Sequence, residues 1–249
     1  MLTKASCASW CPFVFLVVIA VCVGCAESKP PNGPTPTPRL SRTRFLAFGD
    51  SFTAGEVTNP VSVTPTSTVG KLVLVPFASY PAVLEARLRT TYPLQALLIS
   101  VTNAGAAGER ILDGAQRFPS VYDSTRPEVV LIQEGANGLP QVGPDISTGV
   151  MRTMVQHAKA GGSRVFVGSM IPQVPGRPRA TTPTSELLAY NNTLQLMSQQ
   201  EAVVYVDLYN QMLAEAATLI GSDGLHPTEA GYSRIAEIFL AAINRELAQ

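Results

Sequence analysis

From Arg42 onwards, short apolar runs alternate with segments whose apolar residues recur at helical spacing. Residues 45–48, 97–101, 129–133, 164–168 and 203–206 are short, aliphatic and poorly alternating. That is the pattern of strands buried on both faces of a parallel sheet. Between them the spacing predicts helices over 80–90, 112–122, 145–160, 183–200, 210–219 and 228–247. In the last of these, Ile235, Ile238, Phe239, Ala242 and Ile243 keep one apolar stripe without a break. Thr182 before Pro183 reads as a helix N-cap followed by proline at the first helical position. Five βα units in series predict an α/β three-layer sandwich. Its sheet is doubly wound, mainly parallel and five-stranded, with helices on both faces. Ligands of such sheets bind beyond the carboxyl ends of the strands.

One connection breaks the rhythm. The 56–79 insertion carries Pro60, Pro65, Gly70 and Pro76, and its second half, 72–77, is apolar. Long loops in compact domains are either functional or without fixed structure. This one starts directly after the turn that carries Ser51, so it is expected to lie over whatever site that turn builds. The sequence leaves open whether it is a substrate-binding flap or a floppy insertion.

Composition narrows the class. The chain has 249 residues, 46% of them hydrophobic, and its charges cancel. That suits one domain with a sizeable core, and the absence of a basic field argues against nucleic acid as a partner. The first 25 residues stand apart. Lys4 precedes the apolar run 13–23, which has signal-peptide length and is too short to span a bilayer. The run ends in Val21-Cys22-Val23-Gly24-Cys25. Small residues ahead of Cys25 resemble the lipobox of a bacterial lipoprotein, although Cys22 stands where leucine is usual. The other reading is an ordinary secretory signal cut near Cys25 or Ala26. Either one predicts export, and the first adds a lipid on Cys25 and a membrane as partner. All four cysteines (Cys7, Cys11, Cys22 and Cys25) lie in this leader, so no disulfide or thiol nucleophile is available after it. Residues 26–41 read as a Pro-rich linker and 42–249 as the catalytic domain.

Candidate chemistry sits at the strand ends. Gly49-Asp50-Ser51 follows the first predicted strand, and Asp223-Gly224-Leu225-His226 precedes the last helix. Serine is a weak nucleophile without a base in reach and a third group to orient that base. The chain has only two histidines, and His157 falls inside a predicted helix near Ile146 and Val150, the place of a packed structural histidine. Asn103-Ala104-Gly105-Ala106-Ala107-Gly108 and Glu134-Gly135-Ala136-Asn137 follow the second and third strands. Taken singly, each has a plainer reading. Ser51 suits a helix N-cap, Asn137 a turn cap, Gly108 a chain reversal, Asp223 a cap and His226 a surface loop. Glu109 and Arg110 either touch substrate or pair with each other in solvent. Two histidines leave zinc ligands scarce, and no nucleotide fingerprint is present.

Together the four blocks, in this order, resemble the SGNH hydrolases, also called the GDSL esterase/lipase family. The resemblance runs from about Arg42 to the C-terminus. It implies a flavodoxin-like fold and a serine esterase that needs neither cofactor nor metal. It matches Ser51 to the nucleophile, His226 to the general base and Asp223 to the orienting carboxylate. The oxyanion donors would be the Ser51 and Gly108 N–H groups and the Asn137 amide. The expected reaction is hydrolysis of carboxylic esters, on small-molecule or glycan substrates, through an acyl-Ser51 intermediate. Alternatives within the resemblance are a carbohydrate O-acetylesterase or an acyltransferase on cell-wall or polysaccharide substrates. From another class, a non-catalytic binding lipoprotein could retain the fold. One departure stands out: Gly138 replaces the Asp that usually closes the third block, which puts the rigidity of the Asn137 loop in question.

Overall fold

The computed structural model describes residues 37–58 and 72–249. The leader with Cys25, most of the linker and the middle of the 56–79 insertion lie outside the described residues. Five parallel strands form the main sheet: β1 (Arg44–Gly49), β4 (Ser100–Gly105), β5 (Val129–Gln133), β6 (Arg164–Gly168) and β7 (Val204–Val206), in the order β4-β1-β5-β6-β7. A separate antiparallel hairpin joins β2 (Glu56–Thr58) to β3 (Leu72–Leu74). β1, β5 and β6 are buried almost throughout, which is why their sequences run apolar rather than alternating. Helix α2 (Tyr80–Thr91) packs on α8 (Glu229–Leu247). Helices α3 (Ile111–Thr125), α4 (Leu139–Ala160) and α5 (Thr184–Gln200) pack side by side. The order reverses at β1, so the crossover through α2 and those through α3, α4 and α5 cover opposite faces. Phe239 of α8 stacks on Tyr80, with ring centroids 5.2 Å apart.

Four sequence expectations shift. The apolar run 97–101 is not the second strand. Leu97 and Leu98 are exposed in a turn, and β4 starts at Ser100 and runs on through Thr102 and Asn103. An edge strand has one side open to water, so its hydrophobic signal fades, and the apolar run just before it misleads. The helix expected over 210–219 divides into α6 (Leu208–Leu213) and α7 (Ala216–Leu219), because Glu215 leaves helical geometry at φ −113° and ψ 15°. Thr182 does not cap α5; Pro183 holds that position with no side-chain cap, and the Thr182 N–H donates to Gln173 Oε1. The fourth shift is at the linker. Leu40 is buried, pairs with Ala248 and exchanges hydrogen bonds with the Gln95 side chain, so the packed body starts ahead of Arg42.

Candidate active site

β1 delivers the chain to Asp50, and the short helix α1 (Ser51–Ala54) starts there. Asp50 caps it: its Oδ1 accepts the Phe52 N–H at 3.0 Å. Capping therefore falls to Asp50, and the Ser51 hydroxyl is left for another partner. That partner is His226. Ser51 Oγ lies 3.0 Å from His226 Nε2, and His226 Nδ1 lies 2.6 Å from Asp223 Oδ2. All three residues are buried, with Ser51 only 1% exposed. Asp223 divides its oxygens between two tasks. Oδ1 accepts the N–H groups of Leu225 and His226, both at 3.0 Å, and so folds its own turn. Oδ2 is then aimed at the imidazole. Burial works against the Asp223 charge, yet the hydrogen bonds from the His226 ring and these two N–H groups outweigh it. They hold the carboxyl below the usual range.

Two further blocks close around this chain of hydrogen bonds. Gly108 follows β4 with φ +74°, and a side chain there would point into open space. Glycine thus suits the left-handed backbone and leaves the space beside it open. The Ser51 and Gly108 N–H groups have no hydrogen-bond partner among the described residues. Asn137 donates through Nδ2 to the Glu109 carbonyl at 3.2 Å, which uses one of its two amide hydrogens and leaves the other. Gly108, Asn137 and Leu225 line one cleft of roughly 410 Å³. A slightly larger concavity, lined by Arg42, Arg44, Glu128 and Gly161, lies at the opposite end of the strands.

The GDSL-like lipase/acylhydrolase family model matches residues 47–234, which includes all four blocks. The chain belongs to this family. Esterase TesA of Pseudomonas aeruginosa is 27% identical over 139 residues, 55% of this chain and 66% of the relative. The chain thus spans just under two thirds of that relative's length. Among solved structures, a lipase/acylhydrolase from Enterococcus faecalis aligns with a TM-score of 0.62 at 21% identity. That alignment covers 82% of this chain and 97% of the other. An acetylxylan esterase from Geobacillus stearothermophilus gives a TM-score of 0.62 at 20% identity, over 82% and 94%. At such identities the likeness is one of fold.

In this GDSL-family chain the replacement at Gly138 has a backbone reason. Gly138 stands at φ 116° and ψ −24° at the start of α4, a conformation that side chains resist. The loop is braced by other groups. Ala136 N–H donates to Asp50 Oδ2 at 2.9 Å, Asn137 holds Glu109, and Arg110 and Asn137 pair as a short parallel bridge. Asp50 is buried, which raises its pKa to about 6 against the pull of the Phe52 and Ala136 N–H groups. Glu134 is raised well above its ordinary value, first by burial and then by the neighbouring Asp50 and Glu109 charges.

Sequence reasoning missed several of these residues. Glu109 pairs with Arg117 rather than Arg110; Arg117 Nε and Nη2 meet its two oxygens at 2.6 Å each. Tyr232 donates to the carbonyls of Ser51 and Glu56 and so ties α8 to the site. Glu56 Oε2 lies 3.5 Å from His226 Nε2. No local pattern marks Glu56; only its place just after α1 does. His157 is not brought to Ser51. It sits half-buried, edge-on to Phe118 and Tyr122. The apolar stretch 72–77 divides. Leu74 pairs with Glu56 across the hairpin, and Val75 is buried in the core. Phe77 instead lies along α2 near Leu240, away from the site. The expectation that the apolar half of the insertion lies over the site fails for Phe77.

Proposed function

We propose that this chain is a serine esterase that hydrolyses carboxylic esters through an acyl-Ser51 intermediate. One observation carries the reading: the unbroken chain Ser51 Oγ, His226 Nε2, His226 Nδ1, Asp223 Oδ2, with links of 3.0 and 2.6 Å. As Ser51 Oγ attacks the ester carbonyl, its proton passes to His226 Nε2. Asp223 holds the ring by Nδ1–H and stabilises the imidazolium that forms. Negative charge moves onto the carbonyl oxygen, where the Ser51 N–H, the Gly108 N–H and the free hydrogen of Asn137 Nδ2 are the donors at hand. Collapse of this intermediate breaks the bond to the alcohol oxygen, which takes the proton from Nε2. A water then repeats the sequence and releases the acid and free Ser51.

Turnover of 4-nitrophenyl acetate by the purified protein, with burst kinetics and an acyl adduct on Ser51 detected by mass, tests this reading. A folded protein with no turnover and no adduct would leave a non-catalytic binding protein. The same intermediate passes to an alcohol in acyltransferases, and adding glycerol to the assay separates the two outcomes by product. The leader supports export, with Cys25 as the site of lipid attachment.

A further inference from the structure

We infer that the cleft beside Gly108 and Asn137 receives a negatively charged acyl group, so that the preferred esters carry an anion on the acyl half and a neutral alcohol. This rests on the serine-esterase reading above. The cleft is lined by Arg110, Gln141 and Arg179 as well as Gly108, Asn137 and Leu225. Arg110 is exposed, and among the described residues its guanidinium makes no hydrogen bond or ion pair. Its neighbour Glu109 is fully taken up by Arg117. Arg179 Nε stands 4.0 Å from Asp223 Oδ2, the limit of an ion pair, and that oxygen is already held by His226. Two arginines thus line the cleft without full neutralisation. Planar guanidinium groups in a recess match a carboxylate or another oxyanion, and an aliphatic chain gains nothing from them.

The opposite charge stands at the nitrogen that serves the alcohol half. His226 Nε2 must return its proton to the departing alcohol, so the alcohol half lies at that nitrogen. Glu56 Oε2 is 3.5 Å from the same nitrogen. A negative alcohol would meet a carboxylate there; a hydroxylated or neutral one would meet a hydrogen-bond acceptor. The carbonyl oxygen belongs to Gly108 and Asn137, and the acyl substituent is left with the recess that continues past them to the arginines. The charge pattern therefore orients the ester as well as selecting it.

The test compares esters that differ only in charge. For the acyl half, the mono-4-nitrophenyl ester of adipic acid is set against the same ester with its free carboxylate capped as a methyl ester. For the alcohol half, 4-acetoxybenzoate is set against 4-acetoxybenzamide. Two partly exposed arginines are expected to favour the uncapped adipate by about three- to tenfold in kcat/KM. About 0.5 M salt should shrink that preference. The Arg110→Gln, Arg179→Gln double variant should bring it close to one, with folding checked by circular dichroism and thermal melting. The benzoate should be the poorer of its pair. An adipate preference at or below one in the wild type overturns the inference. So does a preference that survives in the folded double variant, or a preference for the benzoate. Failure of the neutral esters as well would overturn the hydrolase reading beneath it, an outcome distinct from neutral esters turning over without charge preference.

Discussion

Asp50 Oδ2 accepts the Ala136 N–H at 2.9 Å while its other oxygen caps the helix that carries Ser51. One buried carboxylate thus ties the turn of Ser51 to the loop of Asn137. Asp50→Asn keeps the shape but offers one acceptor where two are used, and its NH₂ must face an N–H. We expect kcat to fall about tenfold or more, since small misplacements of reacting groups are costly. Stability should move the other way with pH. The folded pKa of Asp50, about 6, lies above its ordinary 3.8, so the proton is held more tightly in the folded state. That contribution is complete below about pH 4 and is lost as pH rises through 6. The wild type should therefore lose about 3 kcal/mol relative to Asp50→Asn between pH 3.5 and 7.5. Urea midpoints of both proteins across this range check it; parallel curves would remove Asp50 as the source.

His226 and His157 offer a matched pair. Ser51→Ala or His226→Ala should lower kcat by about 10⁴–10⁶, the loss expected from a cooperating unit. His157→Ala removes ring contacts to Phe118 and Tyr122 and should leave kcat within a few-fold while lowering the melting temperature. The reverse pattern in folded proteins would assign the base wrongly.

Asn137→Ala deletes the one side-chain donor of the proposed oxyanion site. A loss of about 10²–10³ in kcat is expected, with KM changing much less. A rise in KM at constant kcat would instead make Asn137 a ground-state contact.

Gly138→Asp restores the residue that is usual in the family. Here it meets a backbone at φ 116°, so it should cost about 1–3 kcal/mol of stability and improve no rate. Chemical denaturation and steady-state kinetics decide; a more stable or faster variant would show that the loop adapts.

Cys25 lies outside the described residues, so its test is chemical. Expressed in a bacterial host, the mature protein should begin at Cys25, carry acyl chains and sediment with membranes. Cys25→Ser should block that processing. Intact mass showing an unlipidated start after Cys25 would leave an exported protein without an anchor.

How much of this was legible beforehand follows from where the signals are local. β1, β5 and β6 are covered on both faces, so burial is written into each residue, and their limits are nearly right. β4 runs along an edge, and its polar Thr102 and Asn103 hid it behind exposed Leu97 and Leu98. The first three blocks could be read because each lies within a few residues of a strand end, where a parallel sheet must gather them. Asp223 and His226 share one turn and needed no long-range knowledge. Glu56, Arg117 and Tyr232 could not be read, because their partners are set by tertiary packing rather than by spacing. Glu109 illustrates the point: adjacency suggested Arg110, but α3 brings Arg117 back over it with two hydrogen bonds.

The bridge between Leu40 and Ala248 brings the two ends of the described body together. Both ends of the described body leave at the amino edge of the sheet, and β1 runs from there to Ser51. Six residues of strand, at about 3.3 Å each, separate the two by roughly 20 Å. The chain ahead of residue 37 therefore joins the described body at the end of β1 away from Ser51.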